Sequence, residues 1–128
     1  MVKVTSKFVH TTPRKVRFIL DAVRGLPVEV AENKLRFLQK QSARDVYTLL
    51  HSARSAAKEQ GLVESQLVIA QAFCDDGPRI KRRILSSRGR ARPINKHMSH
   101  ITIVVSAGKS TSEAPKTAAA KPEETKEK

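Results

Sequence analysis

Gly77 to His100 reads GPRIKRRILSSRGRARPINKHMSH. Between Arg79 and Lys96 it carries eight cations, Arg79, Lys81, Arg82, Arg83, Arg88, Arg90, Arg92 and Lys96, and no acid. Readable strands flank it, QLVIAQAFC before and HITIVV after. The pattern predicts a β-hairpin, over about 78–98, whose outer half leaves the body of the protein. A like-charged run this dense repels itself and builds no core. It becomes ordered inside polyanionic counter-charge, and phosphate backbone is the commonest supplier.

Outside that stretch the charge is ordinary. The 128-residue chain has a net charge of +13, yet residues 1–76 hold twelve basic and eight acidic side chains. Residues 77–112 hold nine basic side chains and no acid. The basic character therefore belongs to one surface of one modest domain. The single cysteine, Cys74, excludes an intrachain disulfide and suits a reducing compartment. The N-terminus lacks a signal-peptide core, and no apolar run approaches the roughly 20 residues that span a bilayer. The expectation is a soluble, cytoplasmic protein. Trp is absent and Phe plus Tyr number five, which argues against an aromatic platform of the kind that reads single-stranded RNA.

Before the hairpin, the chain alternates strand and helix signals. Val2 to Val9 (VKVTSKFV) reads as a short half-buried strand. Thr11-Thr12-Pro13 predicts a helix start with a Thr cap and Pro at the first helical position. Val16, Ile19, Leu20 and Val23 then supply one apolar face, and Gly25 and Pro27 end it. Arg14, Lys15 and Arg17 face outward near this helix's positive end, an arrangement that invites an anionic partner as readily as solvent.

Val28 to Leu38 predicts a second helix, with Glu29 and Glu32 in its first turns and Ala31, Leu35 and Leu38 buried. Ser42 is expected to cap a third, with Asp45 completing a capping-box pair. Its stripe is Val46, Leu49, Leu50, Ala53 and Ala57, and Gly61 stops it. These two helices read as core builders. Leu67, Ile69 and Phe73 alternate on the next strand, with Gln71 the exception. Ile101, Ile103 and Val105 alternate on the last.

The predicted fold class is α+β: a three-stranded antiparallel sheet packed against three helices, with a long protruding basic hairpin. Residues 1–106 make one domain. Residues 107–128, rich in Ala, Pro, Lys, Glu and Thr, are expected to form a disordered tail. Gly77-Pro78 marks a bend at the hairpin base, and Gly89 is the one residue near the far end suited to positive φ. With a turn around Ser86–Gly89, the tip would stand roughly 30 Å from the sheet. A two-stranded ribbon of that length is marginal alone, so it needs a partner. Arg outnumbers Lys six to two between 79 and 96, which favours bidentate phosphate contact.

Thr12-Pro13-Arg14-Lys15-Val16-Arg17, Ala53, Gly77-Pro78, Lys81-Arg82, Gly89-Arg90-Ala91, Ile94, Lys96 and Ser99-His100-Ile101-Thr102 together resemble one family. It is the universal large-subunit ribosomal protein family numbered twenty-two, in its bacterial type, called seventeen in older eukaryotic naming. The resemblance covers about residues 2–106, with no insertion between Gly77 and His100. It implies a structural constituent of the large ribosomal subunit that binds the large rRNA and supports assembly and translation. In that family a small domain sits near the exit of the peptide tunnel, and the hairpin runs inward through rRNA to the tunnel wall.

By motif, Arg14, Lys15, Lys81, Arg82, Arg90, Lys96, Ser99 and His100 are implied rRNA contacts. Arg17, within the first matching motif, joins them, and Arg79, Arg83, Arg88 and Arg92 join on charge alone. Leu85, Ser86, Ser87, Arg88, Gly89 and Arg90 would be the tunnel-lining tip. The implied partners are large-subunit rRNA, neighbouring large-subunit proteins and the nascent peptide, with no membrane and no small-molecule substrate. Two departures stand out. Leu85-Ser86-Ser87 replaces the Pro-Arg-Ala of many bacterial members, and His97-Met98 replaces the usual Arg-Thr.

Catalysis finds no foothold. His10, His51, His97 and His100 share no metal spacing with Cys74, and no phosphate loop or nucleophile elbow occurs, so no cofactor is expected. Asp75-Asp76 reads as a turn or a partner for Arg79. A DNA-wrapping basic ribbon is the rival reading, but such arms place a Pro or an apolar wedge at the tip, and this tip is Ser/Arg/Gly.

Overall fold

The computed structural model describes residues 1–108. Three strands, β1 (Val2–Val9), β2 (Leu67–Leu85) and β3 (Ala91–Ala107), form one antiparallel sheet in the order β1-β3-β2. Three helices, α1 (Pro13–Val23), α2 (Val28–Phe37) and α3 (Gln41–Glu59), cover one face. The predicted architecture is present. No described helix is long and apolar enough to cross a membrane.

The core is the set of residues whose periodicity marked them. Val16, Ile19, Leu20 and Val23 of α1 meet Val46, Leu50, Ala53 and Ala57 of α3. Both stripes lie over Ile101, Ile103 and Val105 of the central strand. Burying such side chains contributes about 1.5–3 kcal/mol for each large aliphatic. The small face of α3 at Ala53 and Ala57 is fully buried.

Three bulges shape the sheet. Ile69 pairs with Val105 and Gln71 with Val104, so Ala70 is one residue too many for its partner strand. The extra residue reverses which side chains face the core. Ala72 and Cys74 are buried, and Phe73, expected inside with Leu67 and Ile69, is 38% exposed. Gln71 was the sign of that switch. In β1, Lys7 and Phe8 together oppose His100, since Ser6 pairs with Ile101 and Val9 with Ser99. At the hairpin base, Gly77 and Pro78 oppose Met98. Pro78, which has no N–H to donate, sits where the ladder is broken. A Cβ on Gly77 would lie 2.9 Å from both the carbonyl carbon and the oxygen of Met98.

Several local expectations change. Thr12 stands at the N-cap of α1, but its side chain makes no capping bond. Thr11 donates instead to Asp45 Oδ2 at 3.4 Å, which ties β1's end to α3. Ser42 lies inside α3, buried, with Lys40 at the N-cap, so the expected capping box is absent. Leu38 follows α2 as its C-cap and is only partly buried. Ala107 still belongs to β3, and Gly108 N–H donates to Gln66 O at 3.0 Å. Ala107 and Gly108 therefore lie outside the tail expected from 107, and the rest of that expectation, 109–128, lies outside the described residues.

Glu32, placed by the sequence in the first turns of α2, is 6% exposed. It is held by Arg54 of α3 at 3.0 Å, and Arg54 also reaches Glu64 at 2.7 Å. One guanidinium thus joins α2, α3 and the single 3-10 turn (Glu64–Gln66) before β2. Arg54, and after it Lys58, holds the Glu64 carboxyl below its ordinary value near 4.5. A depressed carboxylate contributes stability above its unfolded value and loses it as pH falls through the folded one. Replacing Arg54 with Met should lower Tm at pH 7 and flatten the acid-side fall in Tm below about pH 4.5, measured by thermal melts across pH. Gly77→Ala should cost about 1–3 kcal/mol in urea denaturation, because backbone rather than a flexible side chain must move.

Candidate nucleic-acid interface

β2 and β3 continue past the base bulge as a two-stranded ribbon. Seven residue pairs run from Arg79–His97 to Leu85–Ala91. At about 3.3 Å per residue they carry the tip roughly 23 Å beyond the bulge. Ser86 N–H donates to Arg90 O at 2.7 Å and closes the turn. Within the turn Arg88 takes φ 60 and ψ 36, and Gly89 takes φ 67. Gly89 alone was expected to adopt that conformation. Two successive left-handed residues tighten the reversal, and Arg88 accepts backbone strain that glycine would avoid.

The register sorts the cations. Residues directly opposite in an antiparallel pair share a face, and neighbours along a strand alternate. Arg82, Arg92 and Lys96 therefore stand on one face, among Ile80, Ile84 and Ile94. Arg79, Lys81 and Arg83 stand on the other. Arg88, Arg90 and Arg92 share a hollow at the tip with Ser86 and Ser87. Among the described residues, none of the eight hairpin cations pairs with an acid. The one hydrogen bond from their side chains runs from Arg82 to the neighbouring Lys81 carbonyl at 3.0 Å.

The globular domain treats its arginines differently. Arg17 donates from Nε to Cys74 O at 3.1 Å and from Nη2 to Asp76 at 3.0 Å. Arg24, the C-cap of the same helix, donates to Ala72 O at 2.8 Å and pairs with Asp21. Gly25 N–H donates to Ile69 O, and Ile69 N–H donates to Leu26 O, each at 3.1 Å. These contacts occupy the outer edge of β2 up to the point where the ribbon departs, an edge that would otherwise be open to pairing. Asp76 thus answers Arg17 rather than Arg79, and Asp75-Asp76 lies in the strand rather than in a turn. Burial pushes the Cys74 thiol up, which leaves it a packing residue.

Arg14 and Lys15 remain exposed and are not seen to pair with an acid among the described residues. Arg14 shares a cleft at the hairpin base with Arg79 and His97. It also borders a second hollow with Lys15, Phe18 and Lys40, where the Lys40 ammonium sits 4.5 Å from the centre of the Phe18 ring. Phe18 and Lys40 were not singled out by the sequence, and His97 stood out there as a departure from the family pattern rather than as a site residue. Phe18, an aromatic off the apolar stripe of α1, was the available signal. Ser99 and His100 are placed differently from the cations. Ser99 is fully buried, and its hydroxyl has no partner among the described residues. His100 accepts the Phe8 N–H through Nδ1 at 3.1 Å.

The family model for ribosomal protein L22p/L17e matches residues 4–106. The chain belongs to that family. It is 43% identical over 104 residues to the large ribosomal subunit protein uL22 of Fervidobacterium nodosum, covering 80% of this chain and 71% of that one. The Deinococcus deserti protein of the same name is 43% identical over 104 residues, covering 80% and 75%. The Thermus thermophilus one is 38% identical over 104 residues, covering 80% and 92%. In an L22p/L17e protein the paired Arg17 and the unpaired Arg14 should separate experimentally. Arg17→Met should cost about 1 kcal/mol in urea denaturation, discounted for its exposure. Arg14→Met should leave stability within about 0.5 kcal/mol and weaken RNA binding in filter assays.

Proposed function

We propose that the chain is a non-catalytic structural constituent of the large ribosomal subunit, in the cytoplasm, whose hairpin threads between segments of the large rRNA. The observation that carries this reading is the split of cations over both faces of the ribbon. A strip with Arg82, Arg92 and Lys96 above and Arg79, Lys81 and Arg83 below is neutralised only by counter-charge on two sides. A membrane or a single duplex offers one side. Folded rRNA offers both, and releases counterions wherever its phosphates meet Arg or Lys.

The small tip, Ser86 to Arg90, suits close passage beside another backbone. By the family relationship it would line the exit tunnel, where the nascent peptide passes. Leu85-Ser86-Ser87 would give that wall less charge and less rigidity than Pro-Arg-Ala. Arg14 and Lys15, with Arg79 at the base cleft, would anchor the domain on surface rRNA beside neighbouring subunit proteins. Ser99 and His100 would serve the interface from within, by fixing the strand that carries it.

Binding to large-subunit rRNA across a salt series tests the reading. Deleting Ile80–Lys96 should remove most of the affinity and make the log-log salt slope shallower. Changing Arg79, Lys81 and Arg83 to Gln, or separately Arg82, Arg92 and Lys96, should each remove roughly two to three units of slope. If only one trio matters, the ribbon lies on a surface and does not thread. At the tip, ribosomes carrying Pro-Arg-Ala at 85–87 should show altered macrolide affinity or stalling at arrest peptides. Unchanged behaviour in both would remove the tip from the tunnel wall.

A further inference from the structure

Phe8 is the least comfortable residue of the globular domain. It takes φ 60, a left-handed conformation that a side chain with a Cβ adopts at a cost and that glycine adopts freely. It lies in the β1 bulge, where Lys7 and Phe8 together oppose His100. A bulge that served only to bend the strand would be better made with glycine. Yet this position holds one of only four phenylalanines in the chain, and its side chain is 56% exposed.

The exposed ring is also held. The Phe8 backbone N–H donates to His100 Nδ1 at 3.1 Å. Its ring stands edge-on to the His100 imidazole, with centroids 5.0 Å apart and planes at 84°. His100 pairs in register with Asp75, so the ring sits beside the hairpin base. A hydrogen bond fixes the backbone, and a perpendicular neighbour fixes the plane. Such an arrangement leaves an aromatic face open to solvent in one orientation.

We propose that Phe8 is a stacking surface for one unpaired base of the bound RNA, with His100 as its positioning residue; the inference rests on the rRNA-binding reading above. A rigid aromatic face is what an unstacked base requires, and stacking tolerates any base because each has a π-face. The strain at φ 60 is then the cost of presenting that face. The scarcity of aromatics speaks against a multi-base platform, and one positioned ring is a different device. In this view His100, within the Ser-His-Ile-Thr motif, acts on the RNA through Phe8.

The chain lacks Trp, so Phe8→Trp provides a single indole reporter. In titrations of the full chain with large-subunit rRNA transcript, Phe8→Trp should keep wild-type affinity, and its emission should be quenched as RNA saturates. Phe8→Leu, which keeps bulk but removes the π-face, should lose at least about fivefold in affinity. Its salt slope should stay unchanged, because no phosphate contact is lost. Wild-type affinity in Phe8→Leu, or unquenched emission at saturation, overturns the inference. Quenching only in assembled subunits also overturns it and makes Phe8 a protein contact. Should Phe8→Leu fold poorly, the indole emission decides alone. Failure of the wild-type chain to bind rRNA would instead remove the reading of function itself.

Discussion

Like-charge repulsion along the ribbon is the constraint to which the rest of the structure answers. Six cations on seven paired rows, with two more at the turn, cannot be buried and find no acid among the described residues. Such a segment cannot hold itself in a direction. Its order has to be imposed from its base, and the fold places its strongest element there. β3 is the central strand, bonded on both sides from Ser99 to Val105, and it is the strand that continues into the ribbon. β2 follows it outward with its free edge fastened by Arg17, Arg24 and the Gly25-Leu26 backbone. The helices add weight where the lever is anchored.

That division of labour explains why arginines of similar appearance have different fates. Arg17 on α1 and Arg24 at its C-cap sit seven residues apart and meet carbonyls two residues apart on β2. The helix spacing of about 10.5 Å exceeds the strand spacing of about 6.6 Å, and the long, flexible guanidinium stems span the mismatch. Arg14, one turn before Arg17, has passed the end of that carbonyl row and finds the cleft instead. Position along the helix, more than residue type, separates a structural cation from one left for a ligand. The same holds for Arg54, drawn into a cluster of carboxylates while the ribbon's arginines stay free.

What could be read from the chain is what depends on spacing within one element. The stripes of α1 and α3, the alternation of Ile101, Ile103 and Val105, and the charge block from Arg79 to Lys96 are local patterns, and the structure keeps all of them. What could not be read depends on partners far along the chain. Glu32 is buried because Arg54 arrives 22 residues later. Asp76 is claimed by Arg17 from 59 residues before. Phe73 turns outward because one extra residue at Ala70 changed the phase of the strand. Of the interface, the cations were legible as residues, but their sorting onto two faces needed the register, and the register needed the bulge at Gly77-Pro78.

The three bulges share a consequence. Each adds one residue on an edge strand against the unbroken central one, and each alters what the edge presents. At Ala70 the change moves Ala72 and Cys74 inward beneath α1. At Gly77-Pro78 it redirects β2 out of the domain, and the 2.9 Å approach to Met98 shows why a residue without Cβ stands there. At Lys7-Phe8 it turns an aromatic ring outward against His100. A bulge raises local twist and re-aims side chains. Here the device is used once for the core, once for direction and once at the surface. The unbroken strand holds the frame, so substitutions from Ile101 to Val105 should act through folding, whereas at the Lys7-Phe8 bulge they should act through binding.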